Sequence, residues 1–241
     1  MRLRIALAAA AFLACGSAAA QSPTQAADRG TGEQAEPRAR PESCVEPNRE
    51  ACAARTRGER RVRTWRQTAT EDDRRRLREW REAFVEALRE ARTSGHGDEV
   101  AREGALLNPD AAIRGAALPP GDYICRTLKL GSQGGGALDF IAYPAFRCRV
   151  SAAGRDGLMH FTKLSGSQRP VGRLFPEHEH RQIFLGTMQL SDERQVLSYG
   201  RDTQRNMAGV VERVGARQWR ILFPYPHFES TLDVIELVPA S

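Results

Sequence analysis

Two short stretches decide the fold: GDYICRTLKL at Gly121–Leu130 and FRCRV at Phe146–Val150. In the first, Tyr123, Cys125 and Thr127 share a face at the two-residue period of a strand. In the second, Phe146, Cys148 and Val150 share a face, while Arg147 and Arg149 point away. Pairing Cys125 opposite Cys148, and so Thr127 opposite Phe146, satisfies both alternations at once. It also centres the connection on Gly134–Gly136 and brings two thiols together for a disulfide. Closing a loop of this size contributes ~3 kcal/mol in the chain-entropy picture.

Working outward, the chain from Gly121 to Val238 reads as short strands separated by turn residues. The expected strands are 122–130, 146–151, 158–164, 170–176, 181–190, 194–199, 207–214, 218–223 and 232–238. This spacing predicts an antiparallel β meander, either a small barrel or a β-sandwich. Trp219, Ile221 and Phe223 are expected to face inward. The near-continuous apolar run LDVIELV suits a strand covered by a helix.

That helix is legible in TATEDDRRRLREWREAFVEALREARTSG. Thr70 caps its N-terminus, and Glu71, Asp72 and Asp73 suit the positive end of its dipole. Leu77, Trp80, Phe84, Leu88 and Ala91 recur at spacings of three and four, forming one apolar stripe. Glu and Arg fill the other face, and Gly95 ends the helix. A second short helix is expected from Asp98 to Leu107, stopped by Asn108-Pro109. The fold class is therefore α+β, a mainly antiparallel domain over 119–239 with a docked helical segment over 63–118.

The N-terminus carries an address. Arg2 and Arg4 precede an apolar run to Cys15, followed by Ala18-Ala19-Ala20, the layout of a signal peptide over 1–20. Cys15 in Phe12-Leu13-Ala14-Cys15 leaves open an outer-membrane lipoprotein. Residues 21–62, rich in Ala, Arg, Glu and Pro, read as a disordered tether, because they hold too little apolar surface to offset ordering. No segment is long enough for a transmembrane helix. The expected location is the periplasm or the exterior, where an oxidising environment favours disulfides. The expected pairs are Cys125–Cys148 and Cys44–Cys52.

The chain holds 36 basic residues and a net charge of +6, but only two are lysines, Lys129 and Lys163. This skew reads as GC-rich codon usage rather than a demand for guanidinium. Six arginines fall between Arg55 and Arg66. They suit either an anionic surface or a solvated approach to the helix. No nucleic-acid partner is expected of an exported chain.

Five phrases then occur in order: LPPGDYICRTLKLG, AYPAFRCRV, KLSGSQRPVGRLFP, YGRDTQRNMAGVVERVG and FPYPHFESTLDVIELVP. Over about Trp65 to Pro239 the chain resembles an uncharacterised bacterial family, domain of unknown function 4893. The resemblance implies an exported bacterial protein and supplies no activity, cofactor or catalytic residue.

In a meander, alternate loops collect at the same end. On the strand assignment above, one end gathers PEHEHR, GRDTQRN and PYPHFES, and so His178, His180, Arg201, Asp202, Arg205, Tyr225, His227 and Glu229. Gly186 is the weak point, since a break there reverses the sorting of every later loop. Arg201, Asp202, Arg205, Tyr225, His227 and Glu229 are the candidate ligand-binding residues. His178 and His180 are candidate metal ligands, but a His-x-His pair in an exposed turn does not by itself make a site, and no metal or cofactor is expected. With no G-x-S-x-G, H-E-x-x-H or Cys–His arrangement, no catalytic residue is assigned. The expectation is a non-catalytic binding or envelope-associated domain, its partner a small molecule, a glycan or an envelope protein. The alternatives are a hydrolase-like enzyme and a protease inhibitor using the barrel mouth.

Overall fold

A run of helices precedes nine strands in a computed structural model that describes residues 63–133 and 139–240. The address segment, the tether, Cys15, the Cys44–Cys52 pair, Gly134–Gly136 and most of the Arg55–Arg66 run lie outside the described residues.

The strands are β1 (Gly121–Leu130), β2 (Phe140–Ala142), β3 (Phe146–Ser151), β4 (Met159–Lys163), β5 (Gln168–His178), β6 (Arg181–Leu190), β7 (Asn206–Gly215), β8 (Gln218–Pro224) and β9 (Leu232–Pro239). From β3 to β9 each strand pairs antiparallel with the next. β1 takes β3 along its first half and the short β2 along its second. Its other edge pairs with β9 from Tyr123↔Pro239 to Leu130↔Leu232. That last pairing closes β1 and β3–β9 into an eight-stranded antiparallel barrel. Of the two architectures the spacing allowed, the barrel is the one formed.

The disulfide joins Cys125 to Cys148 with Cα atoms 5.9 Å apart, and both residues are buried inside the barrel. The register differs from the expected one by two residues. Tyr123 faces Cys148 and Cys125 faces Phe146, so the disulfide crosses the ladder diagonally. Alternation constrains which face a side chain occupies, not how far the strands slide by an even step.

The expected strand at 194–199 does not form. β6 runs unbroken through Gly186 to Leu190, and residues 191–205 make a loop ending in a 3₁₀ turn at Thr203–Arg205. Val196 and Leu197 are exposed there, so this stretch has no apolar face to bury. β2 was not anticipated. It is three residues long and continues the edge on which β3 already lies.

The helices are α1 (Trp65–Thr68), α2 (Glu71–Arg78), α3 (Trp80–Ala91) and α4 (Gly97–Arg102), followed by a 3₁₀ turn at Gly104–Leu107. The single expected helix is thus two, bent at Glu79 (φ −87°, ψ 8°). The bend lets α2 lie along β7 while α3 follows β8, β1 and β9 around the curved wall. Thr70 accepts from the Asp73 amide as expected, and Gly95 stops the helix at a φ of 95°. Phe84, Ala87, Leu88 and Ala91 bury against outward-facing Leu128, Leu130, Val210, Leu222 and Val234. Full burial of a Phe or Leu side chain here contributes roughly 1.5–3 kcal/mol.

One ion pair ties this layer down. Arg220, fully buried on the outer face of β8, pairs with Glu212 at 2.7 Å. The same guanidinium donates to the carbonyls of Leu106 and Asn108, each at 2.8 Å, satisfying groups the 3₁₀ turn leaves open.

Candidate functional site

Inside the barrel, one half is filled. Tyr123, the disulfide, Val150, Phe161, Leu174, Phe184, Val211, Trp219, Ile221, Phe223 and Leu237 form a continuous core. Phe184 stands edge-on to Phe161 and Phe223, with centroids 5.9 and 5.4 Å away. Gly172 and Gly186 lie opposite each other on β5 and β6. A Cβ on Gly172 would come within 2.6 Å of the Phe184 ring. The two glycines are therefore the space the central ring occupies.

Beyond this plug the barrel is hollow. A cavity of about 280 Å³ opens toward the end where β1 finishes and β9 begins. Met188, Met207, Phe223 and Ile235 supply apolar wall, and Thr127, Lys129, Lys163 and Asp233 supply polar groups. The lining comes from the ends of the strands that meet at this mouth. Lys129 and Asp233 sit opposite each other in the β1–β9 ladder.

The polar groups are buried and unequal. Lys129 Nζ donates to both Asp233 oxygens at 3.1 and 3.2 Å and lies 3.5 Å from Glu229. Asp233 also accepts from Ser230 Oγ. Burial raises the Asp233 pKa, and the Lys129 charge opposes that rise. Lys163 is only 5 % exposed, yet among the described residues it has no carboxylate in ion-pair reach. Its ammonium donates to the Gln168 carbonyl at 3.0 Å and stands 3.8 Å from the Phe146 ring centre. Both contacts favour the charged form, and so does Asp233. Burial works against it, as do the Lys129 and Arg169 charges, and together they bring the Lys163 pKa down to about 8. Thr127 Oγ1 is buried without a hydrogen-bond partner among the described residues.

The rim is held under strain. Tyr225 and Glu229 both have positive φ, 43° and 65°, a region non-glycine residues rarely adopt. Gln133 pins this loop by donating from Nε2 to the carbonyls of Pro226 and Ser230 and from its amide to that of Glu229. Gly166 on the neighbouring rim has φ 92°, and a Cβ there would come 2.9 Å from Phe146 and 3.1 Å from Lys163 Nζ. Strained backbone clusters where a site over-determines it.

Because 194–199 is not a strand, the expected grouping of loops does not hold. His178 and His180 lie at the β5–β6 turn, at the closed end, away from the other candidates. Among the described residues no three His, Cys, Asp or Glu side chains gather in metal-binding proximity. Arg201, Asp202, Arg205, Tyr225, His227 and Glu229 do share the open end, but only Glu229 lines the cavity. Arg201 is exposed. Asp202 caps the 3₁₀ turn by accepting from the Gln204 amide, and Arg205 pairs with Glu193. Tyr225 donates to Glu86 on α3 at 2.8 Å, and burial with that contact pushes its pKa to about 12.

His227 belongs to a second polar cluster beneath α2. Asp73 and Arg76, both buried, pair with each other. Tyr199 donates to Asp73, and Asn206 does so at 3.3 Å. Arg76 also donates to the Tyr225 carbonyl at 3.2 Å and faces His227 Nε2 at 3.3 Å. Burial, aided by the Arg76 charge, lowers the His227 pKa, which favours the neutral ring facing the guanidinium. The carboxylate of Asp73 is fully engaged, and Arg76 Nε, without a hydrogen bond of its own, lies 3.2 Å from Asp72. The cluster reads as a clamp between helix and barrel.

The sequence reading missed Lys129, Lys163, Asp233 and Thr127. One signal for the first two was present. They are the only lysines in the chain, and both line this one cavity.

No curated protein and no solved structure matches the chain. Among the described residues no helix is long and apolar enough to cross a membrane. A family profile described as Domain of unknown function (DUF4893) matches residues 65–237, which contain the whole of β1–β8 and β9 up to Leu237. With that match spanning most of its length, the chain belongs to the DUF4893 family.

Proposed function

We propose that the chain is an exported, non-catalytic binding protein whose open barrel end takes a small molecule with an apolar body and an acidic head. The observation that carries this reading is the hollow half of the barrel, where a buried ammonium lacks a carboxylate partner among the described residues. At about 280 Å³ the space falls at the lower edge of the ~300–1,000 Å³ typical of small-molecule sites, so the ligand is small. Met188, Met207 and Ile235 suit an aliphatic body, and methionine adapts to varied shapes. Lys163 suits a carboxylate head, with Thr127 Oγ1 as a further polar contact. Export is supported by the Arg2–Ala20 pattern and by the buried disulfide.

The test is calorimetric titration of the oxidised protein with butanoate, hexanoate and octanoate at neutral pH. Saturable binding is expected for at least one acid, lost in Lys163→Met and kept in Arg201→Ala. If no acid binds, or if binding survives Lys163→Met, the reading fails. Cell fractionation of the producing organism tests export separately, and recovery of the chain in the cytoplasm with its N-terminus intact would refute it.

A further inference from the structure

The two lysines raise a question that acid binding leaves open. At every other basic position the chain carries arginine. Arginine binds carboxylates in a bidentate fork and serves better than lysine wherever a fixed positive charge is wanted. What lysine offers in its place is a compact amine able to give up its proton, which a guanidinium does not do in proteins. A general preference for arginine over lysine runs through the chain. It does not explain why both exceptions line the same cavity.

The two are not equivalent. Lys129 is held by both oxygens of Asp233, with Glu229 beyond. That pairing occupies its ammonium with carboxylate contacts. Lys163 has no such carboxylate, and its nitrogen stands at the cavity wall between the Phe146 face and the Gln168 carbonyl. Gly166 keeps the approach to Nζ clear, since a side chain there would press on both Nζ and Phe146.

We propose that Lys163 is a carbonyl-capturing amine, and that the cavity holds small aldehydes or ketones as a reversible imine on its Nζ. The step needs no oxidant or reductant. The Nζ lone pair forms a bond to the carbonyl carbon as the C–O π bond breaks, and one proton passes from nitrogen to oxygen, giving a neutral carbinolamine. The amine loses a proton, the carbinolamine oxygen gains one, and the C–O bond then breaks to release water and leave the C=N bond. Glu229 and Asp233 line the same space and are the carboxyl groups on hand to move that proton. The lowered pKa of Lys163 supports this role, because a sizeable neutral fraction exists near pH 8. Lys129 beside it contributes to that lowering as a like charge.

The inference rests on the cavity being a ligand site, and the experiment separates the two. The oxidised full chain is incubated with butanal and sodium cyanoborohydride at pH 8, and the adduct is located by peptide mass mapping. With two lysines in the chain, competing labelling is confined to Lys129 and the N-terminal amine. The expected result is one butyl group on Lys163, saturating with butanal concentration and absent from Lys163→Arg. That variant keeps the charge, and circular dichroism and thermal melting establish that it folds. Labelling confined to the N-terminus, or labelling of Lys129 and Lys163 at equal, non-saturating rates, overturns the inference. Butanoate titration without reductant is run in parallel. Butanoate binding without a Lys163 adduct overturns the imine and leaves acid binding standing. A Lys163 adduct without butanoate binding supports the imine and overturns acid binding. If neither occurs, both readings fall.

Discussion

Along the inward face of β1 the side chains run Tyr123, Cys125, Thr127, Lys129. The first two belong to a packed interior of rings and sulfur, and the last two line an open cavity. β9 makes the same passage in reverse, from Asp233 and Ile235 at the cavity to Leu237 in the core. An eight-stranded barrel is just wide enough for side chains to fill it. Filling is thus a choice made position by position. Three aromatic rings close the middle, and beyond them a lysine–aspartate pair, a second lysine and flexible methionines leave space. The filled half and the helical layer supply the stability that lets the other half hold buried charge.

The strongest challenge to this division is Phe184→Ala. Removing the central ring is expected to cost ~3–5 kcal/mol in chemical denaturation, while Met188→Ala at the cavity wall costs less than half as much. Equal losses would mean that the two halves do not differ. Next is the disulfide. Replacing Cys125 and Cys148 together by Ala is expected to cost ~2–4 kcal/mol, with affinity for butanoate unchanged, because the link lies in the filled half. A loss of affinity in that variant would show that the plug and the cavity are one unit. Asp233→Asn removes the main counter-charge of Lys129. The remaining Glu229 contact softens the loss to about 2 kcal/mol, below the ~3–5 kcal/mol seen when a fully enclosed pair is broken. Adding Lys129→Met to that variant is expected to restore stability, and a further loss would argue against the pair.

The smallest effect concerns pH. Lys163 titrates near 8 in the folded chain, against 10.5 for an unperturbed lysine. Between those values the unfolded chain binds more protons, so this group makes stability rise with pH across the window. The denaturation midpoint of the wild type relative to Lys163→Met is expected to climb from about pH 8 to 10.5 and to be flat below it. Acid binding is expected to weaken through the same lower bound as the ammonium is lost. A flat difference across the whole range would place Lys163 in a solvated setting.

Much of the scaffold was legible because burial imposes a period. Alternation located eight of the nine strands, and the stripe from Leu77 to Ala91 located the helices. The errors have physical causes. A disulfide tolerates a diagonal pair, so Cys125 and Cys148 could be matched to each other while the ladder was shifted by two residues. The stretch QVLSY has strand-forming residues without a buried side, and Tyr199 leaves it to reach Asp73. Asp73, Arg76 and Arg220 look like solvent-facing charges in a linear reading, because Tyr199, the Tyr225 carbonyl and the Leu106 carbonyl, which they meet on burial, lie far away in sequence. The cavity was hidden for the same reason. Its walls are single positions from strands spread over a hundred residues, and only the closure of β1 on β9 brings them together.

That closure carries a consequence for the chain's life in a crowded medium. An open sheet offers a row of unsatisfied amides and carbonyls on which a second molecule can grow. Here β1 and β9 satisfy one another, and the one strand added outside the ring, β2, is three residues long. Among the described residues little backbone is left as a template for fibril growth. Association with a second molecule must therefore be written in side chains, where one substitution can abolish it.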